Sequence, residues 1–258
     1  MKVLALDFDG VIADSQYECL FVGFNAYLRL NKNTKLFGGK KFTFNNFNNI
    51  KKKYKNTIKK YENLRPYVIG AFSWYVILYI MDFSIRIKHQ YQFNNVREKL
   101  IKNFDEYVNY FYNERSKLQE KNYKKWLKLE APFKKIIEGI KKLEKGYIIT
   151  IATNNNRKSI YGLFKKYKIK PKIIADSNIS LNKKKQLECI KNKLKVNFNE
   201  IHFVDDQVKH FPRLLKLGVN CYLATWGYNN KRQRQEAKKL WVVMLREDNF
   251  YEKLASFL

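Results

Sequence analysis

Acidic residues are scarce in this 258-residue chain, which carries 23 Asp and Glu against 52 Lys and Arg. The formal net charge of +29 favours anionic partners such as phosphorylated metabolites, nucleic acid or anionic lipid. The chain also leans on Lys, Asn, Ile, Tyr and Phe, a bias that an AT-rich genome can impose on every protein it encodes. Such a bias can account for the many lysines but less well for the small number of acidic residues. The net charge by itself therefore does not identify a partner.

Cysteine is rare as well. Cys19, Cys189 and Cys221 are odd in number and have no CxxC spacing, which excludes a disulfide framework and a zinc site of the usual pattern. We therefore expect a reducing, cytoplasmic location. The chain opens with a strand pattern in place of a basic and apolar leader, so we expect no secretory signal.

Long hydrophobic runs are missing with one exception, the stretch YVIGAFSWYVILYIMDF at residues 67–83. This run only reaches the lower limit for a membrane-spanning helix, and four of its aromatic rings carry a hydroxyl or an indole nitrogen. No second span accompanies it. We expect a buried helix that begins at Pro66, where the first helical turn tolerates proline, and no membrane partner.

Apolar runs typical of buried strands recur along the chain, and helical patterns separate the later ones. The strand patterns lie at residues 3–6, 147–152, 172–175, 201–204 and 220–224, with a weaker sixth at 241–244. The helical patterns lie at residues 132–144, 158–167, 184–193 and 211–217. This alternation predicts an α/β fold with a doubly wound, Rossmann-like parallel sheet.

The first connection is the exception, because about 140 mostly helical residues separate the first strand from the second. A connection this long inside an α/β unit usually holds an inserted domain. We expect an α/β core domain at residues 1–13 and 130–258 and a mainly α-helical cap domain at residues 14–129. A loop around Gly38 and a basic helix at residues 50–63 fall inside the cap; the lysines of that helix form either a solvated face or a nucleic-acid contact.

The first strand ends in two acids within the stretch ALDFDGVIADS. Asp7 and Asp9 are two residues apart, so both project to the same side at the carboxyl end of a strand that is buried on both faces. Open α/β sheets bind their ligands at that edge. The two carboxylates repel each other, so a compensating cation is expected between them. Gly10 allows the tight turn that follows the acids.

Polar residues also lie at the ends of three further predicted elements later in the chain. Thr153 and Asn154 end the strand at residues 147–152, a lysine opens the helix in SLNKKKQLECI, and Asp205 and Asp206 follow the strand IHFV. Together with DFDGV, these elements resemble the four motifs of the haloacid dehalogenase-like (HAD) superfamily, whose members are mostly Mg²⁺-dependent phosphatases. The run LATWGYNN also resembles a stretch of the phosphoglycolate phosphatase-like branch.

The resemblance implies a role for each group. Asp7 would attack phosphorus and form an aspartyl-phosphate, which splits hydrolysis into two easier displacements. Asp9 would protonate the leaving oxygen and then deprotonate the incoming water. The Thr153 hydroxyl, the Asn154 backbone N–H and a lysine ammonium would meet the charge on the transferring phosphoryl group.

Two lysines compete for that last role. The family's K-x-x-x-L pattern, which ends here at Leu187, selects Lys183 as the catalytic lysine. Lys184 is the alternative contact to phosphate, and Lys185 should point elsewhere on the helix. Cations at a helix N-terminus are unfavourable without a nearby anion, so we do not interpret these lysines as a plain charged helix start.

The same resemblance implies a Mg²⁺ site, since this ion prefers hard oxygen ligands. Its ligands would be Asp7, the backbone carbonyl of Asp9 and Asp206, with Asp205 in support. His210 stands where many relatives carry a further acid. It is either a hydrogen-bond donor behind the ligands or a surface histidine.

The motifs together predict a Mg²⁺-dependent phosphomonoester hydrolase that acts on a small phosphorylated metabolite. The presence of an acid, Asp9, two residues after Asp7 disfavours carbon–halogen cleavage, because dehalogenase-type relatives lack an acid at that position. A phosphosugar mutase would use the same four motifs. From another class, the charge also fits a nucleic-acid-binding protein or a nucleotide or polynucleotide phosphatase. The sequence leaves the substrate and the oligomeric state open.

Overall fold

The structure, a computed structural model, describes residues 2–155 and 157–258. The chain divides into two units. One unit consists of Met1–Ser15 together with Ala131–Leu258, and we call it the sheet unit. The other consists of Gln16–Glu130, and we call it the helical unit.

Eight strands lie within the described residues. They are β1 (Val3–Leu6), β2 (Ala13–Asp14), β3 (Ala131–Pro132), β4 (Ile148–Ala152), β5 (Ile173–Ala175), β6 (Ile201–Asp205), β7 (Asn220–Ala224) and β8 (Val243–Leu245). Six of them form a sheet in the order β5-β4-β1-β6-β7-β8, in which every neighbouring pair is parallel. The predicted α/β, Rossmann-like fold is therefore confirmed, and the weak sixth strand pattern corresponds to β8.

The α-helices of the described residues alternate with these strands in the sheet unit and make up most of the helical unit. They are α1 (Gln16–Leu30), α2 (Phe47–Lys53), α3 (Lys55–Leu64), α4 (Phe72–Asp82), α5 (Gln90–Lys99), α6 (Phe104–Leu127), α7 (Lys134–Leu143), α8 (Arg157–Tyr167), α9 (Lys183–Leu194), α10 (Phe211–Leu215), α11 (Lys231–Lys239) and α12 (Phe250–Ala255). Helices α1 to α6 belong to the helical unit, and α7 to α12 belong to the sheet unit.

Strand β1 lies at the centre of the sheet because its side chains are apolar on both faces. All four of its residues are fully buried, as expected for a strand covered by helices on both sides. Leu6 pairs with Ile151 of β4 on one side and with Val204 of β6 on the other. The three strands therefore end side by side, and the residues that follow them meet at one edge of the sheet.

The helical unit has an aromatic core of its own. The rings of Phe24, Phe37 and Phe42 pack with centroids 4.6 to 5.1 Å apart. The Asn25 side chain holds this core in place by bonding both the N–H and the carbonyl of Phe42, at 2.8 and 3.0 Å. Buried aromatic rings supply much of the apolar area that such a helical unit needs.

The apolar run at residues 67–83 is largely buried, as predicted, although Phe83 at its end is exposed. Its predicted start at Pro66 is wrong. Pro66 lies in a single 3₁₀ turn, Arg65–Tyr67, and α4 begins only at Phe72. Val68 is extended, with ψ 141°, and this conformation ends the turn before a helix can continue. In the part of the chain that the structure describes, no helix is long and apolar enough to cross a membrane.

The single basic helix predicted at residues 50–63 is also wrong. Two helices, α2 and α3, meet at Tyr54, whose ψ of 41° is not helical. The Tyr54 ring packs edge-on against Phe37, 5.9 Å away. Packing of this ring on the core accounts for the break, which no proline or glycine marks in the sequence.

Candidate active site

Three carboxylates meet where the central strands end. Asp7 follows β1, and Asp205 and Asp206 lie at the end of β6. All three are buried, and each offers an oxygen within 4.8 Å of the others. The sequence motifs placed these acids at neighbouring strand ends, and the parallel order of β1 and β6 brings them together.

Lys183, the first residue of α9, provides the positive charge of this cluster. Its Nζ lies 2.9 Å from Asp7 Oδ1 and 4.0 Å from Asp205 Oδ2, and it donates to the Ala152 carbonyl at 2.6 Å. The side chain is only 2% exposed. A lysine buried this deeply needs paired anions, and the two carboxylates supply them.

Lys184, the other candidate, does not join the cluster. Its side chain is 44% exposed, and its Nζ lies 3.4 Å from Glu188 one turn further along α9. Asn182 caps the helix by accepting a hydrogen bond from the Lys184 backbone N–H. The structure therefore brings Lys183 and not Lys184 to the buried carboxylates.

The carboxylates differ in how easily they ionise. Burial, with smaller contributions from Asp205 and Asp9, raises the pKa of Asp7 to about 7 against the pull of Lys183. Burial alone would also raise the pKa of Asp205, but the charges of His210 and Lys183 and the hydrogen bonds from His210 and the Gln207 N–H hold it at about 2. Asp205 is thus ionised at neutral pH, whereas Asp7 gains or loses its proton near neutral pH.

This donor set fits a Mg²⁺ ion. Magnesium is bound through one or two carboxylates and keeps several waters, and buried carboxylates of this kind are the oxygen ligands it prefers. With all three acids ionised, Lys183 alone would leave the cluster negative. A divalent cation would offset this excess of negative charge.

Asp9 lies beside the three carboxylates and is held by groups that sequence reasoning did not identify. Its Oδ1 accepts a hydrogen bond from the Ser15 hydroxyl, and Asn155 Nδ2 lies 3.5 Å from the same oxygen. Ser15 is fully buried. These contacts fix the orientation of the Asp9 carboxylate.

Gly10 is required by both conformation and space. Its φ of +82° is one that residues with a side chain rarely adopt. An added Cβ would also collide with the Asp206 carboxylate and the Tyr228 ring. The turn after β1 can approach β6 this closely only because residue 10 has no side chain.

Thr153 and Asn154 directly follow β4, the strand that pairs with β1. Thr153 is fully buried; its N–H donates to the Ala175 carbonyl at 3.0 Å, and its hydroxyl accepts from the Asn155 N–H at 3.1 Å. Gln186 of α9 donates to the Thr153 carbonyl at 2.7 Å and to Asn154 Oδ1 at 3.1 Å. Gln186 is a support that the sequence did not reveal, although its position one turn after Lys183 could have suggested it.

Tyr228 connects the metal-ligand candidate to the loop after β1. Its N–H donates to Asp206 Oδ2 at 2.5 Å, and its hydroxyl donates to Asp14 Oδ1 and accepts from the Ser15 N–H, each at 2.8 Å. Gln207 Nε2 donates to the Tyr228 carbonyl at 2.9 Å. The run LATWGYNN carried this signal, but nothing in the sequence assigned the tyrosine a partner.

His210 lies behind the cluster. Its Nδ1 donates to Asp205 Oδ2 at 2.7 Å, while Gln207 N–H donates to Asp205 Oδ1 at 2.8 Å. Both oxygens of Asp205 are therefore engaged by hydrogen bonds. Of the two interpretations of His210, the structure favours the donor that orients a carboxylate.

Solved structures show the same fold over the whole chain. A haloacid dehalogenase-like hydrolase from Streptococcus pneumoniae is 13% identical, with a TM-score of 0.59 over 100% of this chain and 99% of its own. A predicted phosphoglycolate phosphatase from Haemophilus somnus is 16% identical, with a TM-score of 0.63 over 100% and 98% of the two chains. A candidate β-phosphoglucomutase from Thermotoga maritima is 16% identical, with a TM-score of 0.53 over 100% of both chains.

No protein-family model and no curated protein matches the sequence. The likeness to solved structures is therefore one of fold, and the proteins of those structures are described as hydrolases, phosphatases and a candidate β-phosphoglucomutase. Two of them are described as predicted or candidate phosphoglycolate phosphatases, the branch that the run LATWGYNN resembles. The chain has the fold of the haloacid dehalogenase-like hydrolases.

Proposed function

We propose that this protein is a phosphomonoester hydrolase that acts on a small phosphorylated metabolite through Asp7. One observation carries the proposal: the Asp7 carboxylate is buried at the end of β1, 2.9 Å from the Lys183 ammonium, with two further carboxylates within 4.8 Å. A structural ion pair would not need two extra buried acids. A site that binds a cation and a phosphate would need them.

The first chemical step would form an ester on the enzyme. An oxygen of Asp7 bonds to phosphorus while the bond between phosphorus and the substrate oxygen breaks, and Asp9 gives its proton to that leaving oxygen. In the second step Asp9 takes a proton from water. The water oxygen bonds to phosphorus, the Asp7–phosphorus bond breaks, and free phosphate and the Asp7 carboxylate result.

The charges of the reacting groups would be met by three sets of donors. Lys183 neutralises Asp7 and lies at the edge where phosphate would enter, while the Thr153 hydroxyl and the Asn154 N–H follow the adjacent strand. Donors fixed before the reaction stabilise developing charge without reorganising. Lys184 stays an alternative phosphate contact, which the variant Lys184→Ala tests.

A Mg²⁺ ion would be held by Asp7, the backbone carbonyl of Asp9 and Asp206, with Asp205 in support. When bound, the ion offsets the repulsion between an anionic nucleophile and an anionic phosphate. The chain's own part is to hold the ligands still. Tyr228 N–H fixes Asp206, and His210 fixes Asp205.

We further propose the helical unit, Gln16–Glu130, as the cap that selects the substrate. Two observations support this role. The helical unit has a hydrophobic core of its own, and residues 38–41 extend from that core as an exposed basic loop. Phe37 anchors the loop: it is buried among the rings of Phe24 and Phe42 in a left-handed conformation, with φ +52°. Exposed loops on a rigid base are common carriers of specificity.

The test is a panel of phosphorylated metabolites, nucleotides and oligonucleotide ends, together with p-nitrophenyl phosphate, assayed for phosphate release with added Mg²⁺. We expect turnover by the natural chain and none by Asp7→Asn, with Glu144→Gln, an exposed acid of the sheet unit, as the matched control. Turnover that persists in Asp7→Asn would end the role of Asp7. A wild-type chain inactive on the whole panel would overturn the proposal.

Mutase activity is the second candidate, and the likeness to the candidate β-phosphoglucomutase from Thermotoga maritima favours it. A mutase would return the phosphoryl group from Asp7 to a sugar hydroxyl instead of to water. Product analysis distinguishes the two. An isomerised sugar phosphate indicates a mutase, and free phosphate in equal amount to free alcohol indicates a hydrolase.

A further inference from the structure

The edge of the sheet opposite the carboxylates is strongly basic. All six strands run in parallel, so the connections that lead into them from α7, α8, α9, α10 and α11 lie at the edge where the strands begin. We call this the amino edge. These five connections hold two acids, Glu144 and Glu200, against six exposed lysines: Lys145, Lys168, Lys170, Lys172, Lys195 and Lys216.

Trp241 projects from the same edge, in the connection between α11 and β8. Among the described residues it is the most exposed large apolar side chain, at 93%, whereas the next are exposed by 61%. The exposed Lys238 and Lys239 end α11, and only Leu240 separates them from Trp241. The amino edge therefore combines a row of cations with one bare aromatic ring.

Neither packing nor backbone geometry explains a tryptophan here. Its φ of +56° is left-handed, and its N–H donates to the Lys238 carbonyl while Val242 N–H donates to the Ala237 carbonyl, both at 3.0 Å. This is a helix C-terminus that glycine normally occupies. A bulky residue at positive φ is strained, and its ring buries almost none of its apolar area.

The lysines alone have a simpler explanation, because cations near helix C-termini are favoured by the helix dipole. The helix dipole does not explain the exposed ring of Trp241. A row of cations with a flat, accessible aromatic ring is the combination that binds single-stranded nucleic acid: phosphates lie against the cations, and a base stacks on the ring.

We propose that the amino edge binds single-stranded RNA or DNA, with Trp241 stacking on one base. The edge spans roughly 24 Å from β5 to β8 at the usual spacing of strands, enough for several nucleotides. A membrane surface is the less favoured partner. Helices that lie in a bilayer interface bury a broad apolar face, whereas the side chains exposed on α11 are charged or polar.

The proposed surface lies at the opposite edge from Asp7, so it is independent of the proposed phosphatase. Nucleic acid bound at the amino edge would leave the carboxyl edge accessible. The two proposals can therefore fail separately, and a variant of Trp241 should keep phosphatase turnover unchanged.

The test is titration of the full chain with fluorescent oligo(dT) and oligo(rU) of about 15 nucleotides at low salt. Trp241→Gly is the informative variant, because glycine is the residue this helix end prefers and the variant should melt no lower than the natural chain. We expect it to bind about 5- to 150-fold more weakly, the loss of one base–aromatic stack. Tyr161→Ala, which removes a ring 61% exposed on α8, is the matched control and should bind normally.

Two further measurements address the charges and the ring. Lys170→Gln with Lys172→Gln should reduce the slope of log affinity against log salt by about 1.4, since each phosphate contact contributes about 0.7. Oligonucleotide should also quench the tryptophan fluorescence of the natural chain and not of Trp241→Gly. Equal affinity of the natural chain and Trp241→Gly would overturn the proposal. So would binding that requires Trp241 on vesicles of anionic lipid but is absent on oligonucleotides, which would identify a membrane surface instead.

Discussion

Replacing Asp7 by Asn should stabilise the metal-free protein at alkaline pH. The folded structure raises the pKa of Asp7 from its ordinary 3.8 to about 7, chiefly through burial. The folded state therefore binds this proton more tightly than the unfolded state, so the free energy of unfolding falls as the pH rises from about 4 to about 7. At about 1.4 kcal/mol per pH unit, the ionised carboxylate costs roughly 4 kcal/mol at pH 8 and under 1 kcal/mol at pH 4.

Urea denaturation in EDTA, followed by circular dichroism at pH 4 and at pH 8, measures this difference. Asp7→Asn should be more stable than the natural chain by several kcal/mol at pH 8 and nearly equal to it at pH 4. Glu144→Gln, which removes an exposed carboxyl of the same unit, should show no such dependence on pH. An advantage of Asp7→Asn that is the same at both pH values would refute the reasoning, because the cost would then not come from ionisation.

Four further outcomes follow from the same contacts. Lys183→Ala should lower the turnover of p-nitrophenyl phosphate by at least about 100-fold, and Lys184→Ala by no more than about twofold, because only the first ammonium lies on the buried carboxylates; equal losses would assign the role to both. Ser15→Ala removes the hydroxyl that donates to Asp9, the proposed acid–base carboxylate, so kcat should fall about tenfold with little change in KM; an unchanged kcat would contradict this role. Tyr228→Phe removes a hydroxyl with two partners and should lower the free energy of unfolding by about 1–2 kcal/mol in urea titrations; an unchanged midpoint would mean that these bonds add no net stability. EDTA should abolish phosphate release and added Mg²⁺ should restore it, whereas activity that survives chelation would remove the metal from the mechanism.

The sequence predicts the sheet well, because each central strand is a short apolar run closed by a polar residue. Because β1, β4 and β6 are buried on both faces, their apolar runs identify them as strands in the sequence. The polar residues that end these runs must meet once the strands are parallel. The positions of Asp7 and Asp206 follow from this rule without knowledge of any contact.

The supporting contacts could not be predicted in the same way. Tyr228 and Ser15 are joined by a hydrogen bond across 213 residues of sequence, and no local pattern encodes such a pairing. The break at Tyr54 has the same origin, since a ring that packs on Phe37 decides it. Periodicity reports which face of an element is apolar, and it does not report which distant group that face will meet.

The short ladder between β2 and β3 has a consequence for the architecture of the chain. Ala13 pairs with Pro132 and Asp14 with Ala131, so the two points at which the chain leaves and re-enters the sheet unit are hydrogen-bonded neighbours. The whole of Gln16–Glu130 is thus inserted at a single closed base, the geometry at which domain insertions and deletions are tolerated. A short turn that joins Ser15 to Ala131 would leave the order of the six strands intact, which makes the sheet unit a natural candidate for a self-contained minimal protein.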